Sequence, residues 1–434
     1  MSSTPSTIVI GGGLAGLAAA TYLAREGMRT TLLERSEALG GRAQTDTPAG
    51  FALNRGAHAL YTGGSASSVL ADLGVTYPAG IPRNILARDA SGLHILPATA
   101  KGLLRTDLLD AADKAELMAL LVRVGMLHAE RLTHTSTADW IAQNVRRSRV
   151  RQLFEAIARV YLYTAALDLV SADVFVDRFQ LTLKHPVHYV EGGWQTLVDG
   201  LRQVALASGV EVLSSSSAAE VMLDGSRVTG VRLHGGRVLD CTAVLIAAPP
   251  EDVLHLLPES AAPQTHRVLA DLEPAHIACL DLALARLPEP RHAVVFDLAQ
   301  PRFLTAQSVF ARLAPEGGAV VHVFVHLDPR QAGEPARERA AAETLMDEVQ
   351  PGWREVVVEQ RFLPRMLAVA GLPLASSAGM AGRPSHRCPD LDNVFFAGDW
   401  VGPHGFLADA ALASARDSAR LLLAARDERT LVAA

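Results

Sequence analysis

The chain has 434 residues, 49% of them apolar and 20% charged, with a formal net charge of −6. That length exceeds one core and suits two to three domains of ordinary globular composition, which argues against large-scale disorder. The acidic balance gives no basic footprint for nucleic acid, and three cysteines (Cys241, Cys279, Cys388) are too few and scattered for a disulfide framework or a zinc site.

No apolar stretch reaches the ~18 residues of a membrane helix, and the first residues lack the basic-then-apolar pattern of a secretory leader. The expectation is a soluble, cytoplasmic protein, with a peripheral membrane contact left open. Only three of the 40 basic residues are lysines (Lys101, Lys114, Lys184), so lysine chemistry has three candidates.

In chain order, Thr7-Ile-Val-Ile10 reads as a short strand running straight into Gly11-Gly-Gly-Leu-Ala-Gly16. A helix-forming run follows to Glu26, with Gly27 as its stop, and the next strand, Thr30-Thr-Leu-Leu-Glu34, ends in an acid. This strand–GxGxxG–helix–strand–acid order is the dinucleotide fingerprint. Gly11 permits the tight turn, Gly13 lets a pyrophosphate approach the backbone, and Gly16 lets the helix pack closely. The amides of the helix start, at Leu14 and Ala15, then face the phosphates. Glu34 is placed to accept hydrogen bonds from a ribose hydroxyl, with Arg35 beside it.

Leu39-Gly-Gly-Arg42 comes next. With Ile10–Ala20 and Leu32–Arg35, it resembles the opening of the FAD-dependent amine oxidase / protoporphyrinogen oxidase / phytoene desaturase superfamily. The resemblance implies that FAD is the cofactor and that Gly41 and Arg42 lie against its phosphates. Arginine suits that place as a fixed cation with a donor fork.

Near the other end, Asn393-Val-Phe-Phe-Ala-Gly-Asp-Trp400 leads through Gly402-Pro-His-Gly-Phe-Leu-Ala-Asp-Ala-Ala411 into a helical run to about Ala425. It resembles the superfamily's closing motif, which implies flavin contacts at Gly398, Asp399, Phe406 and Leu407. The following helix would point its N-terminus at the flavin pyrimidine, where negative charge develops on reduction. The commoner family ending has a small–acid–Gly-Ala run where this chain has Leu407-Ala-Asp-Ala410.

In the middle, Glu191-Gly-Gly-Trp194 marks a turn into a helix. Gly209–Leu213, Ala219–Leu223, Arg227–Leu233 and Val244–Pro250 read as hairpin strands with Asp-Gly and Gly-Gly turns. In relatives a valine at the position of Ala218 touches the adenine through its backbone. Ser214 to Ser217 reads as a loop.

The resulting fold class is α/β. A discontinuous GxGxxG Rossmann-type FAD-binding domain (residues 1–75, 190–265 and 385–434) carries an inserted α+β substrate domain (76–189 and 266–384). The insert includes a half-buried helix over Leu108–Val124 and strands over His276–Leu284 and Ala319–Leu327.

Leu53-Asn-Arg-Gly-Ala-His-Ala-Leu-Tyr61 falls where the superfamily brings a glycine turn past the isoalloxazine ring. The resemblance implies close approach at Gly56 and Ala57, with His58 and Tyr61 facing the substrate. His58 is a candidate proton acceptor, or it merely hydrogen-bonds the flavin or a carbonyl. His404, beside the last helix, is a weaker catalytic candidate.

Amine oxidases commonly add an aromatic cage and a lysine that holds a water near the flavin. Here Phe406 stands where a cage tyrosine often does, and Lys184 lies far before the usual place. The expected activity is FAD-dependent oxidation or desaturation of a small apolar molecule, an isoprenoid being one such substrate. Oxygen and quinone are both open as electron acceptor. The alternatives are a flavin amine oxidase releasing hydrogen peroxide and a non-redox flavoprotein, with an NAD-only dehydrogenase a distant fourth.

Overall fold

The structure, a computed structural model, describes residues 6–56 and 58–433. Five short strands form a wholly parallel sheet in the order Glu211–Leu213, Arg29–Leu33, Ser6–Ile10, Ala243–Ile246, Val394–Phe396. Ile10 lies opposite Leu33 on one side and Ile246 on the other.

The C-terminal halves of these strands are apolar on successive residues because both faces of the sheet are covered. Val9, Leu32, Leu245 and Phe395 face the helices Leu14–Arg25, Gln195–Ala207 and Ala408–Ala433. Their neighbours Ile8, Leu33, Val244 and Phe396 face an antiparallel meander, Ala218–Asp224, Arg227–Leu233 and Val238–Asp240.

The hairpin reading of the middle therefore needs correction at its two ends. Glu211–Leu213 and Ala243–Ile246 are parallel strands of the main sheet, and only the segment between them turns back on itself. The Asp-Gly turn signal is local, whereas a parallel partner lies far off in sequence.

The second layer is a seven-stranded sheet in the order Val357–Val369, Ala275–Leu284, Ala319–His326, Arg302–Thr305, Val294–Asp297, Leu86–Asp89, Gly92–Ile95. All its pairs are antiparallel except Val294–Asp297 with Leu86–Asp89. Alternate residues again separate two faces. Leu280, Leu282, Val321 and Val323 pack on the helix Pro335–Val349. Ile277, Cys279, Phe303 and Phe324 look the other way, into a core shared with the helices Ala111–Met126, Thr137–Asn144, Ser148–Leu162 and Ala172–Lys184.

The first of these helices starts later than its apolar spacing suggests. Asp110 accepts the amide of Asp113 while Asp113 accepts that of Asp110, a reciprocal cap that fixes the boundary.

One buried side chain ties the meander to the parallel sheet. Asn393, 2% exposed, donates to the carbonyls of Val228 and Thr242 and accepts the amide of Val228. Asn393→Ala leaves three backbone groups short of a partner, each worth on the order of 1 kcal/mol. The expected result is a loss of about 2–3 kcal/mol in denaturant unfolding, against little change for an exposed control such as Arg237→Ala.

Candidate cofactor and substrate site

The glycine loop divides its work. Gly11 sits at φ +110°, and a Cβ there would stand 2.4 Å from the carbonyl oxygen of Ala247. A Cβ on Gly16 would lie 1.8 Å from the oxygen of Gly11. Both glycines are demanded by close packing. Gly13 differs, since a Cβ on it would meet nothing nearer than the Gly40 oxygen at 3.7 Å.

Gly13 begins the helix Leu14–Arg25, and neither a side-chain cap nor a first-turn acid covers that helix start. Glu34 accepts the amides of Gly12 and Ser36, both at 2.8 Å, which fixes its carboxylate beside the loop. The Gly40 amide donates to the Gly12 oxygen at 2.8 Å, laying the second glycine pair along the first. Gly41 is as open as Gly13, its nearest neighbour to a Cβ being the Gly13 Cα at 3.9 Å. Two open glycine surfaces, an uncapped helix N-terminus and a fixed carboxylate fit the diphosphate and ribose of a dinucleotide.

Arg42 follows in the turn Gly41–Ala43 and forms a two-pronged pair with Asp399, at 2.9 and 2.5 Å. Asp399 is 2% exposed and also accepts the amide of Ala370 at 3.0 Å. Burial alone would raise its pKa, but the Arg42 charge and these hydrogen bonds hold it below the usual carboxylate range. Arg35 faces elsewhere: it is largely exposed and pairs with Asp252. Ala218 is half-buried at the start of the meander, next to the serine loop whose Ser216 amide reaches the Glu34 carbonyl.

The C-terminal loop is held by arginines that the sequence did not single out. Arg178, on the helix Ala172–Lys184, is 1% exposed. It donates to Asp409 at 2.6 Å and to the carbonyl of Phe406 at 2.5 Å, and its guanidinium lies 4.1 Å above the Tyr61 ring. The other oxygen of Asp409 accepts the amide of Ala66 at 2.8 Å. Arg383 donates to the carbonyls of Asp399 and Gly405. Burial pushes its pKa down to about 10, which still leaves it cationic at neutral pH.

Between these anchors Leu407 takes the left-handed conformation at φ +56°, and Phe406 is fully buried. A Cβ on Gly398 would lie 2.7 Å from the Trp400 indole nitrogen, and that indole donates to the Ala248 carbonyl. His404 is exposed and stands outside this cluster.

Gly56, at φ +85°, comes so close to Met366 that a Cβ would lie 2.4 Å from its methyl group. Ala57 lies outside the described residues. The His58 ring stacks at an angle on Trp194, 4.7 Å between centroids, and its Nδ1 sits 2.9 Å from the Gly56 oxygen. Its own carbonyl accepts Gln307 at 2.8 Å. Burial pushes its pKa down to about 4, so the imidazole is neutral near pH 7 and a weak proton acceptor. Tyr61 is buried beneath Arg178 and meets Tyr161 edge to face.

The structure thus brings Arg42 to Asp399, and Tyr61 to Phe406, around the unanticipated Arg178. None of the lysines joins them. Lys101 and Lys184 are exposed, and Lys114 donates to the Thr106 carbonyl. Arg178 and Arg383 carried no sequence signal, being two among many arginines.

The flavin containing amine oxidoreductase family model matches residues 14–423. The all-trans-zeta-carotene desaturase of Myxococcus xanthus is 26% identical, over 92% of this chain and 90% of that protein. Polyamine oxidase 3 of Oryza sativa subsp. japonica is 28% identical over 57% of this chain and 52% of its own length. Among solved structures, an oxidoreductase from Methanosarcina mazei superposes with a TM-score of 0.79 at 18% identity, covering 95% of this chain and 99% of that one.

Two outcomes follow from these buried titratable groups. Arg178→Leu strands the Asp409 carboxylate, and removing one partner of a buried pair costs about 3–5 kcal/mol. Its thermal midpoint should fall by many degrees, with Arg178→Lys intermediate. The His58 pKa is lower in the folded chain than the ordinary value of about 6.5, so its stabilising contribution is complete above that value and is lost as pH falls towards 4. His58→Gln should therefore show a shallower decline in thermal midpoint between pH 6.5 and 4 than the parent chain.

Proposed function

Because the chain belongs to the family of flavin containing amine oxidoreductases, and is thereby a FAD-dependent redox enzyme, we propose that it oxidises or desaturates a small apolar organic molecule by hydride transfer. The bound cofactor supplies a two-electron acceptor. Gly13, Gly41 and the helix start at Leu14–Ala15 would hold the diphosphate, Glu34 the adenosine ribose, and Arg42 with Asp399 the stretch between phosphate and ring. Gly56, Phe406 and Leu407 would border the flavin ring itself. Residues 1–75, 190–265 and 385–434 would form the FAD-binding domain and the remainder the substrate domain. That division is supported by the five parallel strands all falling in the first set.

The observation that carries the substrate class is the aromatic, lysine-free surroundings of Tyr61. Tyr161 is edge-on to Tyr61 and packs near Phe179, while Phe154 stacks on Phe179 at 5.2 Å. Burial raises the pKa of Tyr61, so its phenol stays neutral and available for hydrogen bonding. These side chains are buried or half-buried and apolar apart from their phenols, and the neighbouring Asp409 carboxylate is already taken up by Arg178 and the Ala66 amide. The likeness to the zeta-carotene desaturase, which spans nearly all of this chain, is in keeping with that branch. The polyamine oxidase match keeps one second reading in view, an amine oxidase that uses oxygen.

The deciding measurement is the absorbance spectrum of the purified protein, followed by anaerobic titration with panels of amines and polyprenoid compounds. Bound-flavin bands that polyprenoids bleach and amines do not are the expected outcome. Bleaching by amines, with hydrogen peroxide on admitting air, would establish the second reading instead.

A further inference from the structure

One polar row crosses the face of the seven-stranded sheet that otherwise carries Cys279, Phe303 and Phe324. Strand register places Arg361 opposite Asp281, Asp281 opposite His322, and His322 opposite Thr305. Asp281 and His322 are both 0% exposed. Arg361 donates twice to one Asp281 oxygen, at 3.0 and 2.8 Å. The other oxygen accepts Cys279 Sγ at 3.0 Å and lies 2.6 Å from His322 Nδ1.

The Asp281 carboxyl is held below its ordinary range: burial opposes this, and His322 and Arg361 outweigh it. An ionised carboxylate only accepts hydrogen bonds. The Nδ1 of His322 therefore carries the proton, and in the neutral ring Nε2 is a lone pair. Among the described residues, that buried Nε2 has no hydrogen-bond partner.

The donor atoms of Cys279, Asp281 and His322 lie within 4.8 Å of one another, a spacing a metal ion can use. The guanidinium of Arg361 on the same carboxylate argues against a cation there. A buried, unpaired acceptor costs about 1–3 kcal/mol, a cost that a donor from outside the chain would remove.

The row's surroundings indicate where that donor comes from. Arg361 also donates to the carbonyl of Asn54, and Phe324, on the same strand face as His322, reaches to 4.0 Å from where a Gly56 side chain would begin. The Asp281 charge also acts on His58. The row thus abuts Asn54 and Gly56, the latter proposed to border the flavin ring.

We infer that Nε2 of His322 accepts a hydrogen bond from an N–H or O–H group of the substrate, so that the substrate is an otherwise apolar molecule bearing one such donor. The inference rests on the proposed function for the location of the substrate and refines its class. Asp281 and Arg361 are positioning residues, which fix the tautomer and the direction of the ring.

The test uses the FAD-loaded protein and three probes of one skeleton: farnesol, farnesylamine and farnesene, the last with no N–H or O–H. Anaerobic perturbation of the flavin absorbance gives a half-saturation for each. The alcohol or the amine should bind at least tenfold more tightly than the hydrocarbon. His322→Leu should abolish that preference at unchanged FAD content, and His322→Gln, which keeps an acceptor oxygen, should restore part of it. Equal half-saturation for all three probes, no perturbation by any of them, or a preference that survives in His322→Leu would overturn the assignment. Should the leucine variant not fold, the wild-type ratio alone decides. A preference without bleaching by any probe would leave His322 standing and remove the proposed activity, so the two failures are distinguishable.

Discussion

The site depends most on one constraint: the irregular loop between the last parallel strand and the C-terminal helix is buried over most of its length, and its backbone must still be hydrogen-bonded. Arg178 and Arg383 meet it from two different elements. Between them they take the carbonyls of Asp399, Gly405 and Phe406 and the carboxylate of Asp409. A loop so fixed can hold Leu407 at positive φ, a conformation that costs an ordinary residue of order 1 kcal/mol or more. Arginine is suited to this work because one planar fork can reach several acceptors and is weakly hydrated for a cation. The same fork of Arg178 lies over Tyr61, so the anchor of the C-terminal loop is also the floor of the aromatic cluster.

The dinucleotide end was legible because its requirements are local. A glycine at φ +110°, a helix that starts without a cap and an acid at the next strand end lie within one βαβ unit, and each leaves a residue-type signature. The anchors of the other end were not legible. Arg178 and Asp409 are 231 residues apart, and arginine is so common here that no single one stands out. Parallel pairing was hidden for a similar reason. Glu211–Leu213 has the same alternating look as the hairpin strands that follow it, and only its distant partner Arg29–Leu33 reveals the difference.

His322 and Asp281 occupy an intermediate place. Both were inside segments read as strands, and the period-two rule would have put each polar side chain on the face opposite its leucine and valine neighbours. What the sequence lacked was the register. With Asp281 opposite His322 and Arg361 opposite Asp281, polar groups that look isolated in the chain become one row, in which the Arg361 and Asp281 charges offset each other. A sheet face can hold such charges without water only when their partners are supplied by adjacent strands.

The two halves of the site are therefore built on different principles. The proposed cofactor side uses backbone amides and glycine surfaces, which any sequence with the right turns can supply. The proposed substrate side uses side chains from separate strands and helices, which only the tertiary fold brings together. Arg178 stands where these principles meet, because it grips backbone on one side and an aromatic ring on the other. A substitution there alters both halves together, whereas a change at His322, three strands into the second sheet, can alter recognition while leaving the cofactor end as it is.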